Sequence, residues 1–217
     1  MRVSQEEKSE RSRTAILEAA LRLFSKQGYR GTSIREIAAE AGLSTGNVYH
    51  HFPDKETLFT TLLGQYWEAI ERPDFPFNKA LAAGAFPFDL EALARAAEES
   101  VRTYRRHVIL IYVDVVEFEG NHIRKFYTEM AGRFERFLNT RFPDGALKHE
   151  LGEGFQPITA SMLASRVFLQ YFAVEILFGI PDQFGLDTAT AMKEVSEILR
   201  HGMIHPPAPR KLEAEAR

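Results

Sequence analysis

Apolar positions recur with helical spacing through most of the chain. Between residues 12 and 27, Ile16, Leu17, Ala20, Leu21, Leu23 and Phe24 fall on one stripe, and Gly28 follows where a left-handed helix cap needs glycine. Thr32-Ser33-Ile34-Arg35-Glu36 then sets a serine three residues before a glutamate, the reciprocal pattern that satisfies two orphan amides at a helix start. This predicts a second helix running to Ala41. Gly42-Leu43-Ser44 makes a tight turn, and Ser44 is placed to cap a short third helix from Thr45 to His51 or Phe52, closed by Pro53. Asp54 caps a fourth, whose stripe of Leu58, Phe59, Leu62, Leu63, Tyr66, Trp67 and Ile70 carries it past residue 70.

Residues 71–89 hold Pro73, Pro76, Pro87 and Gly84, so a connector or short helical pieces are expected there. Helices follow at 90–107, 124–142, 159–178 and 187–203. The β-branched run Val108-Ile109-Leu110-Ile111-Tyr112-Val113 suits a buried strand on propensity alone, but no partner strand is evident, and a buried helix is the expectation. Pro143, Gly145, Gly152, Gly154 and Pro157 mark 143–157 as a loop. The fold class that results is all-α: a three-helix head over 1–56, a helical bundle over 57–205 and a disordered tail over 206–217.

Composition narrows the chemistry. The 217 residues include no cysteine, which removes disulfide frameworks, thiolate zinc sites, iron–sulfur clusters and cysteine nucleophiles together. No metal or other cofactor is expected. The net charge of −3 does not advertise a nucleic-acid ligand, and the first 60 residues carry 9 basic against 8 acidic side chains, so a DNA-binding reading must rest on a local surface. No apolar stretch follows the first residues, and no run approaches a membrane span, so a cytoplasmic chain without a membrane partner is expected.

The informative stretch is 28–55, a capped helix, a glycine turn and a short helix whose first residues are small and polar, the layout of a helix-turn-helix. On a helical wheel Val48 and Phe52 fall together and face inward, while Gly46, Asn47 and His50 face away with Thr45, Tyr49 and His51 on the flanks. Gly46 costs roughly 1 kcal/mol of helix stability against alanine, yet its bare backbone admits close approach to a groove. Asn47 suits the donor and acceptor edge of a base.

Gly28-Tyr29, Thr32-Ser33, Ile37-Ala38, Ala41-Gly42-Leu43-Ser44, Gly46, Val48-Tyr49-His50-His51-Phe52 and Lys55-Glu56 with Leu58 resemble the DNA-binding domain of TetR-family repressors. The resemblance covers about residues 12–60; the remainder is similar only in helical content and length. It implies that the two short helices dock in a major groove, that Tyr49, His50 and Lys55 grip phosphates, and that Arg35 reaches the DNA. Thr45, Gly46 and Asn47 then form the base-reading face. The amide of Thr32 or Ser33 meets a phosphate, and Ser44 serves as helix cap and phosphate ligand together.

Three other patterns compete for attention. Gly42-Leu43-Ser44-Thr45-Gly46 satisfies G-x-S-x-G, but a nucleophile elbow follows a strand, and here a helix precedes the serine. No catalytic residue is assigned. Asp114, Glu117, Glu119 and His122 crowd within nine residues and are read as ion pairs or polar pocket groups before metal ligands. Arg102, Arg105, Arg106 and His107 read as cations at a helix C-terminus before an anion site.

The stretch 159–180 is apolar on nearly all sides except Ser165, Arg166, Gln170 and Glu175, so both of its faces need cover. Together with the Met192, Val195, Ile198, Leu199 stripe it predicts a homodimer with a four-helix interface, which would present two heads to the half-sites of a pseudo-palindromic operator. Seventeen phenylalanines and the resemblance together imply an interior that takes a hydrophobic or amphipathic effector, acyl or lipid-like, between walls drawn from Tyr112, Phe118, Phe126, Tyr127, Phe168, Tyr171 and Phe172. The expectation is a ligand-responsive repressor. The alternative is a DNA-binding protein of chromosome organisation or cell division with no effector.

Overall fold

A computed structural model of the chain describes residues 4–143, 147, 150, 151 and 154–204. In order, α1 is Gln5–Gln27, α2 Ile34–Ala41, α3 Thr45–His51, α4 Lys55–Glu71, α5 Pro76–Ala82, α6 Ala85–Phe88, α7 Leu90–Thr103, α8 Arg105–Phe118, α9 Arg124–Arg141, α10 Pro157–Phe178 and α11 Thr188–Ile204. There is no strand among the described residues, as an all-α reading requires. The run at 108–113 is helical, inside α8. The tail at 206–217 and parts of the 143–157 loop lie outside the described residues.

Side-chain caps set most of the early boundaries. Ser33 Oγ accepts from the Glu36 amide at 3.2 Å while the Ser33 amide donates to Glu36 Oε2 at 2.7 Å. Ser44 caps α3 and Asp54 caps α4, accepting from the Asn47 and Thr57 amides. Each such cap contributes about 1 kcal/mol. Helix α1 starts seven residues earlier than its apolar stripe predicts, because Ser4 and Glu7 form another capping box and Gln5 to Arg11 is a polar extension without a buried face. The expected single helix at 90–107 is two, broken at Tyr104, whose φ of −104° and ψ of 22° leave the helical region.

The helices fold as two compact units. The first runs up to Phe75 and adds Arg102–Thr128; the second comprises Pro76–Val101 and the chain from Glu129 on. These units differ from the boundary expected at 56/57, and the reason is the core. Leu58, Phe59, Leu62 and Leu63 of α4, with Leu110 of α8 and Ile123, are buried in the same cluster as Ile16, Phe24, Ile37, Val48 and Phe52. Burial of each such side chain stabilises the unit by roughly 1.5–3 kcal/mol. In the second unit, Phe168, Tyr171 and Phe172 of α10 are buried, as are Leu90 and Leu93 of α7. Helix α10, at 22 residues, is long and apolar enough to cross a membrane by length and composition, which corrects the expectation that no stretch comes close. Its few polar residues are too dispersed to break the apolar run, and Ser161 and Ser165 turn their hydroxyls back onto helix carbonyls.

Candidate nucleic-acid interface

The short helix α3 is anchored from one side. Val48 is fully buried and Phe52 is 2% exposed, while Thr45, Gly46, Tyr49 and His50 face solvent, Tyr49 with 54% of its surface free. The wheel drawn from sequence thus describes the helix correctly at these positions. Arg13 of α1 lies over the Phe52 ring, 5.5 Å from its centroid, tying α1 to the end of α3. Asn47 is half-buried, and its Oδ1 is enclosed without a partner, so its amide lies closer to the protein than the outward half of the wheel implies. Burial, with His50 and Arg13 nearby, lowers the His51 imidazole and favours its neutral form.

Beside α3 runs an open groove of about 810 Å³, bordered by the α1–α2 turn, the start of α2, Tyr49 and the start of α4. Arg30, Arg35 and Lys55 bring positive charge to it, and Glu36 and Asp54 are occupied as helix caps. Arg30 was not singled out from sequence; its place two residues beyond the Gly28 cap was the available signal.

Lys55 holds this groove together from inside. Its ammonium donates to the carbonyls of Tyr29 at 2.8 Å and Thr32 at 2.7 Å, and lies 4.1 Å from the centroid of the Tyr29 ring. Two of its three protons are thereby committed to the α1–α2 turn. Thr32 is 2% exposed; its hydroxyl donates to Gly28 O and its amide to Tyr29 O. The Ser33 amide donates to Glu36. In the structure both of these amide donors serve the turn and the capping box. Arg35 is exposed at the start of α2, and Ser44 is exposed while capping α3.

The acidic cluster near residue 114 belongs to the same unit, and the carboxylates of Asp114 and Glu117 are engaged. Buried Asp114 accepts from His122 Nδ1 at 2.6 Å and from the Ile123 amide at 3.2 Å, and His122 Nε2 meets Glu56 Oε1 of α4 at 3.2 Å. Glu117 accepts from the amides of Tyr29 and Arg30. Ion pairing and turn capping are thus what these groups do in the structure.

The seven expected pocket walls divide between the units. Tyr112, Phe118, Phe126 and Tyr127 belong to the first, and Phe168, Tyr171 and Phe172 to the second. Phe118 packs into the core of the first unit against Tyr29, Phe59 and His122. Phe126 stacks on Trp67 with centroids 3.8 Å apart, whereas Tyr127 is 46% exposed. Gly42, in the left-handed region at φ 68°, ends α2 just before Ser44, so the serine follows a helix and not the strand of a nucleophile elbow.

Comparison with known proteins bears on this interface directly. Residues 16–62 match the family model of bacterial regulatory proteins, tetR family. The HTH-type transcriptional regulator AcrR of Shigella flexneri is 36% identical over 120 residues, 52% of this chain and 54% of that protein. The HTH-type transcriptional repressor KstR2 of Rhodococcus jostii is 26% identical over 147 residues, 64% and 69% of the two chains. The crystal structure of NalD, the secondary repressor of the MexAB-OprM multidrug efflux pump in Pseudomonas aeruginosa, superposes with a TM-score of 0.61 at 25% identity, covering 92% of this chain and 98% of that one. The chain spans a little over half the length of the first curated relatives it matches. With the anchored α3, its capped turn and the adjoining groove, these likenesses make residues 16–62 similar to the tetR family of bacterial regulatory proteins.

Proposed function

We propose that this protein is a transcriptional repressor that binds a pseudo-palindromic operator as a homodimer and is released by a small hydrophobic or amphipathic molecule. The observation that carries the reading is the two-sidedness of α3: Val48 and Phe52 are locked into the core, which leaves Thr45, Gly46 and Tyr49 exposed on the opposite side, the arrangement a helix needs to enter a major groove. Arg30, Arg35 and the remaining Lys55 proton supply phosphate contacts, and Asn47, Thr45 and Gly46 the base-edge face. The names of AcrR, KstR2 and NalD as regulator and repressors favour repression over activation.

Two further features support the assembly. Leu163 on α10 and Ile198 on α11 are 49% and 70% exposed, large apolar side chains on the two helices expected to meet a second copy. A dimer couples ligand and DNA through the spacing of its heads: an effector that binds one spacing more tightly draws population from the DNA-bound one. The protein acts as a binding module without a chemical step, in the cytoplasm where its operator lies.

Selection from random duplex oligonucleotides at low salt tests the central claim, followed by footprinting of the enriched site. Enrichment of an inverted repeat protected on two successive major grooves is expected; recovery of no preferred sequence refutes the reading. Adding a metabolite panel to the complex separates an effector-responsive repressor from an architectural DNA-binding protein, which no compound would release.

A further inference from the structure

His122 stands between two carboxylates of the first unit. Its Nδ1 lies 2.6 Å from Asp114 Oδ1 of α8, and its Nε2 lies 3.2 Å from Glu56 Oε1 in the first turn of α4. Asp114 is fully buried, and its other oxygen accepts from the Ile123 amide at 3.2 Å. An ionised carboxylate only accepts, so both ring nitrogens must donate for the two contacts to hold, and a ring with two N–H groups is the imidazolium cation. Phe118 and Phe59 pack edge-on against it, with centroids 4.6 and 6.1 Å away, which limits its rotation. The surroundings are rich in carboxylates: burial first, and then the charges of Glu56, Asp54 and Glu117, raise the Tyr29 phenol. Lys55 is the cation over the Tyr29 ring, while the Arg30 and Arg124 side chains turn to the backbone carbonyls of Glu117 and Glu119. His122 is the cation that Asp114 and Glu56 share.

We propose that His122 is a positioning residue for operator binding: as an imidazolium it holds the first turn of α4 to the turn between α8 and α9, so that DNA affinity is linked to a proton on this ring. The inference rests on the repressor reading and adds a regulation to it. When the ring gives up a proton, it gives up the one on Nε2. That nitrogen has the longer contact and a partner whose side chain is 59% exposed, whereas the Nδ1 proton serves a fully buried carboxylate that would be stranded without it. The bare Nε2 then turns a lone pair toward Glu56, and the two groups repel. Glu56 is freed one residue from Lys55, which lines the groove proposed to take phosphates. A carboxylate without its cation at that edge repels phosphate, and the start of α4 loses its tie to the turn that follows α8. Operator affinity therefore falls as pH rises.

The experiment follows binding of the full chain to a selected operator duplex by fluorescence anisotropy, at fixed salt, across about pH 6 to 8, the range in which a histidine changes charge. His50 and His51 also lie in the head, so the readout is the difference between the parent and variants that break only the bridge. Glu56→Gln removes the acceptor charge. His122→Asn keeps an amide donor near the Nδ1 position for Asp114 and takes up no proton. The parent should lose about two- to fivefold more affinity over this range than either variant, as suits a pair with one exposed partner, and the double variant should match the single ones. Glu56→Gln changes an exposed side chain and so guards against misfolding of His122→Asn. Equal pH slopes for the parent and Glu56→Gln overturn the proposal. Ring-nitrogen NMR reads the bridge without DNA: two protonated nitrogens in acid, with Nε2 the one that gives up its proton as pH rises, are expected, and loss from Nδ1 overturns the bridge. A parent that binds no duplex at any pH refutes the repressor reading and the DNA linkage with it, while the NMR result still decides the bridge.

Discussion

The Glu117 carboxylate of α8 accepts hydrogen bonds from the backbone amides of Tyr29, at 2.9 Å, and Arg30, at 2.6 Å. A side chain 87 residues away thus caps the turn that borders the groove beside α3. Gly28 is part of the same arrangement: its φ is +78°, and a Cβ there would stand 2.5 Å from Glu117 Oε1. Glu117→Ala leaves two amides without their acceptor and should lower stability by about 1–3 kcal/mol. Chemical denaturation measures the loss, and electrophoretic mobility shift should show weakened operator binding. A variant as stable and as tightly bound as the parent removes Glu117 from this role.

Lys55 and Arg35 are both basic and border one groove, but they should respond differently to truncation. Lys55 joins two carbonyls and an aromatic face, so Lys55→Ala should cost about 1.5–3 kcal/mol of folding stability and weaken DNA binding as well. Arg35 is exposed, and Arg35→Ala should leave stability within about 0.5 kcal/mol while reducing the dependence of log K on log salt by about one unit. Equal melting temperatures for the two variants would contradict the structural part assigned to Lys55.

On α3 the proposed roles divide into grip and reading. Tyr49→Ala, at a 54% exposed position, should weaken binding to all sequences alike. Asn47→Ala should shift preference at particular base pairs, worth about 1–3 kcal/mol for a bidentate contact. A binding-site selection repeated with each variant reads this directly, and an unchanged preferred sequence from Asn47→Ala excludes it from base reading.

Acid should destabilise the fold through His107. Burial holds its imidazole at about 4, below the ordinary value of 6.5. Between those pH values the unfolded chain takes up a proton that the folded chain refuses, so this part of the stability is constant above about pH 6.5 and is lost as pH falls toward 4. At about 1.4 kcal/mol for each pH unit, the full loss is on the order of 3 kcal/mol. Denaturation at neutral pH and near pH 5 should show that slope in the parent and a shallower one in His107→Phe. Identical slopes refute the assignment.

Local patterns carry a good part of the head. Ser33 with Glu36, Ser44 and Asp54 mark helix starts through contacts spanning three residues, and Val48 with Phe52 mark a buried face through helical periodicity. Such features are legible because every group involved lies within a turn or two along the chain. The polar first turns of α1 and the break at Tyr104 were not legible, since neither interrupts or extends an apolar stripe.

The sequence by itself determined the all-helical class, the turn between α2 and α3 and the outward placing of Gly46 and His50, though not the half-burial of Asn47, because these follow from caps, glycine geometry and spacing. Only the tertiary structure decided that Lys55 points into the α1–α2 turn and that Glu117 caps it. Those relationships reach across 23 to 88 positions within the first unit, and no periodicity along a chain encodes which distant side chain will satisfy a given amide or carbonyl.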